Sequence, residues 1–228
     1  MRRLIAFFMS VVLLLFFSFS CGAIPQIIYK YVGNTNKMRV ALTFDDGPHP
    51  RYTPQILDIL KEYGVSATFF AVGVNAETYP ELIARELQEG HEVGNHTYNH
   101  YHVNKLTKEA LYEDIEACNA TLEKIVAGRI RLFRPPEGVC SEGIKEVCAS
   151  ENLTIVMWSV DTRDWAHTPP AEIYANVKKN VQNGSIILMH DFIGKNSPTP
   201  EALRRIIPML QELGYELVTV SQLLEGAE

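Results

Sequence analysis

Positive charge is scarce in this 228-residue sequence, in which 21 Lys and Arg stand against 27 Asp and Glu for a formal net charge of −6. Nucleic acids and anionic membrane surfaces select for proteins with basic patches. The composition therefore argues against both as partners. A neutral or cationic substrate fits an acidic chain better.

Stretches rich in Pro, Gly or Ser are also lacking, as are internal repeats and low-complexity tails. The composition therefore gives no sign of a linker between two domains, and an α/β barrel of this length commonly forms one domain. We predict a single domain over residues 38–228, preceded by a short lead over residues 24–37.

The long hydrophobic run at residues 4–19 follows two arginines and precedes the Ser-Cys-Gly-Ala sequence of residues 20–23. This order is typical of a secretory signal, so we predict that residues 1–23 are a signal peptide and that the protein is secreted or lies in the cell envelope. An uncleaved membrane anchor is the alternative, because the run approaches the roughly 17 residues that span a bilayer. Lipidation of Cys21 is a further alternative, although the residues before it fit that signal poorly.

Cysteine is rare, and no Cys-x-x-Cys pair suggests a thiolate metal site. Cys118, Cys140 and Cys148 remain for the exported domain. Export permits a disulfide, and Cys140 and Cys148 are the nearest pair, but three is an odd number and spacing does not determine connectivity. We expect small buried hydrophobic residues, with a Cys140–Cys148 disulfide as the alternative.

Short β-branched or aromatic runs alternate with amphipathic stretches along the rest of the chain. The predicted strands are residues 39–44, 67–72, 91–95, 130–133, 154–160, 185–189 and 216–220. The predicted helices are residues 54–63, 80–89, 108–126, 141–150, 170–182 and 200–213. Pro near helix starts and Gly after helix ends, at Gly64, Gly90, Gly184 and Gly214, mark the limits. The repeated βα order predicts a parallel sheet closed into a distorted (β/α) barrel of about seven strands, with an open doubly wound sheet as the alternative.

Polar side chains with catalytic potential follow the predicted strands at their carboxyl ends, the face where barrel active sites gather. Scattered surface charge has no reason to prefer one face. The residues concerned are Asp45, Asp46, His96, His100, Arg134, Asp161, Asp164, His190 and Asp191.

Two of these groups together contain what a metal-assisted hydrolase needs. One carboxylate from Asp45-Asp46 and the imidazoles of His96 and His100 would bind a divalent cation and leave a position open for water. The adjacent carboxylate would take the proton of that water. Taken singly, each feature has an ordinary interpretation: Asp-Asp-Gly-Pro is a turn sequence, and a lone His190 on an apolar strand is usually a core histidine.

Five motifs, taken in order, resemble the polysaccharide deacetylases, the NodB-type esterases of carbohydrate esterase family four. They extend from about residue 38 to the carboxyl terminus, and together they are specific. The motifs are Thr43-Phe44-Asp45-Asp46, His96-x-x-x-His100, Arg134-Pro135-Pro136-x-Gly138, Asp161-x-x-Asp164-Trp165 and Leu188-x-His190.

The resemblance implies a distorted (β/α) barrel and a metal-dependent deacetylase. Asp46, His96 and His100 would bind a divalent cation, zinc in the first place, with cobalt, manganese or nickel as alternatives. Asp45 would be the general base, and Arg134 would pair with it.

The remaining motif residues would serve the leaving group and the substrate. His190 matches the general acid and Asp164 the carboxylate that orients it, while Trp165 and Leu188 match the apolar wall around the acetyl methyl group. The turn at Pro136 and Glu137 would contribute a backbone N–H and part of the substrate site; its residues are Pro136, Glu137 and Gly138.

This sequence departs from the family pattern at two positions. Glu137 stands where many members have an aromatic residue, so the side-chain chemistry of that subsite differs. Tyr101 and His102 follow the histidine pair where a proline is common. We expect His102 to lie on the rim, with a spare metal ligand as the alternative, since three protein ligands suffice for catalytic zinc.

The implied activity is removal of N-acetyl groups from N-acetylglucosamine units of peptidoglycan or chitin-like glycans, by a monomer that touches membrane only through an uncleaved amino-terminal segment. An acetyl xylan esterase of the same family is one alternative, and a catalytically idle glycan-binding envelope protein is another. Metal-dependent phosphoester hydrolysis would need more cationic charge than this chain has.

Overall fold

The computed structural model describes residues 25–30 and 37–225. The strands are β1 (Ile27–Ile28), β2 (Arg39–Asp45), β3 (Thr68–Ala71), β4 (Glu92–Asn95), β5 (Leu132–Phe133), β6 (Thr154–Val156), β7 (Val160–Asp161), β8 (Ile186–His190) and β9 (Glu216–Leu217). The helices are α1 (Tyr52–Tyr63), α2 (Gly73–Thr78), α3 (Pro80–Gln88), α4 (Lys108–Val126), α5 (Glu142–Glu151), α6 (Pro170–Asn180), α7 (Thr199–Glu212) and α8 (Val220–Leu224).

The predicted signal peptide, residues 1–23, lies outside the described residues, as does part of the predicted lead. Within the two described ranges, no helix is both long and apolar enough to cross a membrane.

The strands form one curled parallel sheet in the order β1-β6-β5-β4-β3-β2-β8-β7, and β9 pairs separately with β2. The predicted distorted (β/α) barrel is confirmed. β6 pairs with β1 at one edge of the sheet, whereas β7, only three residues further along the chain, forms the opposite edge beside β8. The chain that leaves β6 therefore reaches β8 within a few residues, and Ser159 N–H donates to the carbonyl of Ile186 at 3.0 Å.

The predicted strand at residues 154–160 is two strands in the structure. β6 pairs with β5 on one side of the barrel, while β7 pairs with β8 on the other. The intervening residues, Met157 to Ser159, change the direction of the chain. A run of β-branched and aromatic residues indicates that residues 154–160 favour a strand. It does not show that the first part of the run and the last part pair with different strands.

Several helix limits agree with local sequence signals. Gly64 caps α1 with φ 64°, and Pro80 begins α3. Thr107 and Ser141 accept hydrogen bonds from the backbone N–H of Ala110 and Ile144 and so cap α4 and α5. Two short helices, α2 and α8, were not predicted, because six or five residues are too few to show a helical period.

Hydrophobic residues of β2, β3 and β8 pack against α1, α6 and α7 in the largest core cluster. A second cluster joins β4, β5 and β6 to α4 and α5. Every residue of β2 after Arg39 is buried. The central strands are therefore buried on both faces, and their carboxyl ends lie together at one end of the barrel.

The three cysteines of the described domain are free. Cys118 and Cys148 are buried, as expected of small hydrophobic residues. Cys148 lies six residues into α5 from Glu142, about 9 Å along the helix axis, and Cys140 precedes that helix. The alternative Cys140–Cys148 disulfide is not formed among the described residues.

Candidate active site

A cleft of about 430 Å³ opens where the parallel strands end at their carboxyl termini. Most of the predicted site residues meet there, although they come from five separate segments of the chain. The cleft is lined by Asp45, Asp46, His96, His100, Glu137, Gly138, Trp158, Asp161, Trp165, Leu188 and His190.

The three predicted metal ligands converge in this cleft. Oδ1 of Asp46 lies 3.3 Å from Nε2 of His96 and 3.1 Å from Nε2 of His100. One potential ligand atom from each residue lies within 4.8 Å of the other two. Zinc bonds of about 2.0–2.1 Å at tetrahedral angles place ligand atoms about 3.3 Å apart. The two carboxylate–imidazole separations match that spacing.

The hydrogen bonds around these residues leave the required lone pairs free. Nδ1–H of His96 donates to the carbonyl of Arg134 at 2.7 Å, so Nε2 carries the lone pair that faces Asp46. Oδ1 of Asp46 is buried without a conventional hydrogen-bond partner. Two imidazoles and a carboxylate are the donor set of a borderline divalent cation such as zinc, and the residues therefore fit such an ion.

Two of the three predicted ligands lie on strained backbone. Asp46 has φ 75° and His100 has φ 56°, both in the left-handed region that non-glycine residues rarely adopt. Burial opposes ionisation of Asp46, but its close contacts with the imidazoles of His100 and His96 outweigh burial and lower the pKa of the carboxyl far below its usual value. Asp46 is thus held as a carboxylate.

Asp45, the predicted base, is paired with a buried cation. Nη1 of Arg134 donates to Oδ1 of Asp45 at 2.8 Å. The guanidinium is fully buried, lies 4.2 Å from the centroid of the Phe70 ring, and also donates to Thr43, Val156 and Met157. Asp45 and Arg134 thus form a buried ion pair. Oδ2 of Asp45 lies 3.9 Å from Nε2 of His96, beside the ligand group.

His190, the predicted acid, is paired with Asp164. Nδ1 of His190 donates to Oδ1 of Asp164 at 2.8 Å, and its backbone N–H donates to Oδ2 at 2.7 Å. The Thr199 hydroxyl and the backbone N–H of Trp165 also donate hydrogen bonds to this buried carboxylate, at 2.7 and 2.9 Å. Burial lowers the pKa of His190, but the bond to Asp164 outweighs it and raises the pKa to about 9. The imidazole is thereby kept protonated at neutral pH.

The predicted substrate-binding residues occupy one side of the cleft. Trp165, Leu188 and Glu137 line it, and the Trp165 ring is half exposed. Pro136 is buried behind this lining, in the turn Pro136–Gly138. His102 lies on the rim, where Nδ1 is 2.9 Å from Oε1 of Glu137.

Two residues with a place in this site, Trp158 and Thr199, were not singled out from the sequence, and two more, Asp161 and Asp191, were placed at strand ends without an assigned role. Trp158 lines the cleft because the chain turns between β6 and β7, whereas the sequence predicted a continuous strand there. Asp161 lines it too, and its Oδ1 accepts the indole N–H of Trp165 at 3.4 Å. Thr199 holds Asp164, and no sequence signal links two residues 35 positions apart.

Asp191 lies beside the segment that carries Asp45, Asp46 and Gly47. Its side chain is fully buried, its Oδ2 accepts the hydroxyl of Thr53, and its N–H donates to the carbonyl of Asp45 at 3.1 Å. Burial raises the pKa of this carboxyl to about 7. A Cβ atom at Gly47 would lie 2.0 Å from Oδ2 of Asp191. Only glycine fits at residue 47.

Gly47→Ala is therefore expected to destabilise the protein by about 1–3 kcal/mol, because overpacking a buried site forces backbone shifts. It should also weaken metal binding, since residue 47 adjoins Asp46. Gly143→Ala is the matched control: its Cβ would meet Leu111 at 3.8 Å within a helix, so stability should be unchanged or slightly higher. Denaturant unfolding would measure both, and equal stability of the two variants would contradict the steric argument.

A curled (β/α) barrel with an Asp-His-His group at its carboxyl end, flanked by an Arg-paired carboxylate and an Asp-paired histidine, has the arrangement of a metal-assisted hydrolase. Comparison with known proteins is more specific. The sequence profile of the polysaccharide deacetylase family matches residues 32–156. The chain belongs to this family.

Individual relatives agree with this assignment. The chain is 42% identical over 191 residues to a peptidoglycan-N-acetylglucosamine deacetylase of Bacillus cereus, covering 83% of this chain and 89% of the relative. A crystal structure of a peptidoglycan N-acetylglucosamine deacetylase superposes with a TM-score of 0.83 at 38% identity, covering 87% of this chain and 92% of that one. A pseudoenzyme of carbohydrate esterase family four from Bacillus anthracis superposes with a TM-score of 0.81 at 31% identity, covering 90% and 70%.

Proposed function

We propose that this protein is a metal-dependent deacetylase that hydrolyses N-acetyl groups of N-acetylglucosamine-containing glycans, peptidoglycan or chitin-like oligomers, and releases acetate. One observation carries the proposal. A carboxylate locked by a buried arginine and a histidine locked by a buried aspartate lie at the same cleft as the Asp-His-His group. A glycan-binding protein has no need of an acid and a base beside one metal site.

Asp46, His96 and His100 would hold the divalent cation, for which zinc is the first candidate. Bound there, the cation would polarise the acetyl carbonyl and lower the pKa of a water molecule. The two imidazoles are neutral ligands, so a single carboxylate leaves the site with net positive charge.

Asp45 would take the proton of the attacking water. Arg134 donates to Oδ1 of this carboxylate, and Oδ2 is the oxygen that lies beside the ligand group. A base that is hydrogen-bonded on one oxygen only retains a lone pair for proton transfer.

His190 would give the proton that the departing amine needs. Asp164 holds Nδ1–H, so the Nε2–H of the imidazolium is the proton available to the cleft. The backbone N–H of the turn after Pro136 would hold negative charge that develops on the acetyl oxygen. The Trp165 and Leu188 side chains offer an apolar surface to the acetyl methyl group.

The amino-terminal segment supports export of this domain. We propose that residues 1–23 direct the protein to the secretory route, as a cleaved signal or as an anchor, and that the domain works as a monomer outside the membrane. The glycan substrates named by the relatives occur in that compartment.

Acetate release by the purified, zinc-loaded full chain tests the proposal. Peptidoglycan, chitin oligomers and acetyl xylan would be compared side by side, each with a chelator-treated control that is then reloaded with zinc. We expect release from peptidoglycan or chitin oligomers that stops with chelation and returns with zinc. Release from acetyl xylan alone would establish an esterase instead. Binding of these glycans without release, as in a pseudoenzyme, would refute the catalytic assignment.

A further inference from the structure

The cleft carries more negative charge than the metal site accounts for. Four carboxylates line it, from Asp45, Asp46, Glu137 and Asp161. A divalent cation and the buried Arg134 guanidinium would carry three positive charges against these four negative ones, so one negative charge is left over. Glu137 and Asp161 are the two carboxylates outside the group of Asp45 and Asp46, and the lining described for this cleft contains neither lysine nor arginine.

Glu137 is held at the rim by a residue from a different loop. The Nδ1 atom of His102 lies 2.9 Å from Oε1 of Glu137, which joins the loop after β4 to the loop after β5. Glu137 also has φ 57°, a left-handed backbone that the surrounding turn must enforce. Its side chain is 49% exposed. The carboxylate is therefore placed at the cleft opening and remains accessible to a ligand.

Asp161 is less available than Glu137. Its Oδ1 accepts the backbone N–H of Arg163 at 2.8 Å and the indole N–H of Trp165 at 3.4 Å. These two hydrogen bonds occupy Oδ1 of Asp161. Glu137 is the carboxylate that a substrate would meet.

We infer that Glu137, positioned by His102, selects glycan chains that carry a free amino group on a sugar next to the one being deacetylated. This inference rests on the proposed function. An ammonium group gains from a nearby carboxylate, an acetamide group does not, and a free carboxylate on the neighbouring sugar is repelled. The favoured substrate class is thus a partially de-N-acetylated glycan. Each turnover then creates a better substrate for the next.

The test compares fully N-acetylated chitotetraose with the tetramers that lack one acetyl group, which are positional isomers of one another. These tetramers match the fully acetylated one in length and differ from it by one positive charge. We expect kcat/KM per remaining acetyl group to be about three- to tenfold higher for at least one charged isomer, and the advantage to shrink as salt rises from 20 to 300 mM. Glu137→Gln should bring the ratio close to one. His102→Gln should lower it partly, because the carboxylate would lose its fixed position.

Glu142→Gln is the matched control, since Glu142 is an exposed carboxylate on α5 that pairs with Lys145. Its ratio should equal that of the unmodified protein. A ratio of one in the unmodified protein, or the same preference in Glu137→Gln, would overturn the inference while acetate release still upheld the proposed function.

Binding separates the two proposals if turnover fails. Dissociation constants for the same oligomers would be measured by calorimetry with zinc-loaded Asp45→Asn protein, with and without Glu137→Gln. Tighter binding of a charged isomer that disappears with Glu137→Gln supports the inference even if no acetate is released. Equal binding of all oligomers contradicts it.

Discussion

Asp45→Asn is expected to lower kcat for acetate release by about 10²–10⁴-fold and to leave zinc bound at one equivalent. A general base of this kind contributes about that factor, and an amide cannot accept the proton. The metal should remain because the ligand atoms belong to Asp46, His96 and His100. Metal content by atomic emission and steady-state kinetics on a chitin oligomer would measure the two effects separately.

The neighbouring isosteric change provides the contrast. Asp46→Asn should lose zinc affinity as well as turnover, because it alters a ligand. Asp58→Asn, on the surface beside Arg85, should change neither. Near-normal activity of Asp45→Asn would show that another group is the base, and loss of zinc from it would show that Asp45 belongs to the ligand set.

Asp45→Asn should also destabilise the fold. Arg134 is fully buried, and loss of its carboxylate partner leaves an uncompensated charge in the interior, a change that typically costs about 3–5 kcal/mol. Kinetics and metal content must therefore be measured at a temperature well below the unfolding midpoint. A normal circular dichroism spectrum at the assay temperature would show that lost turnover is not lost structure.

His190→Ala is expected to lower the rate of amide hydrolysis by about 10²–10⁴-fold and the rate on an activated aryl ester by less than tenfold. An amine must be protonated before it departs, whereas an aryl alcohol leaves as the anion. Rates on an N-acetylglucosamine oligomer and on 4-nitrophenyl acetate would be measured with the same zinc-loaded protein.

Asp164→Asn provides an intermediate case. The side chain keeps its size but no longer stabilises the imidazolium of His190, which Asp164 contacts at 2.8 Å. The amide rate should fall less than in His190→Ala, and the pH above which activity declines should move downward, because the raised pKa of His190 depends on this partner. Equal losses on amide and ester for His190→Ala would assign His190 to substrate binding rather than to proton transfer.

Prediction from the sequence was most successful where local order determines the outcome. Helix α4, Lys108–Val126, has the limits that its amphipathic pattern predicts. The alternation of strands and helices was sufficient for the parallel barrel, because parallel neighbours need a crossover connection. Prediction from the sequence failed at β6 and β7, because one run of strand-forming residues forms two strands that pair with different neighbours. It also failed at β1, because two residues are too few to show a periodic pattern.

The sequence by itself determined the residue types of the site, their order and the face of the barrel on which they lie. Strand ends are readable from hydrophobic patterning, and parallel strands bring those ends to one face. Only the tertiary structure decided the contacts among them. Arg134 reaches Asp45 across 89 positions, Thr199 reaches Asp164 across 35, and His102 reaches Glu137 across two loops. Such contacts depend on sheet register and on the bend after β6, which arise from packing between distant segments and leave no local pattern in the chain.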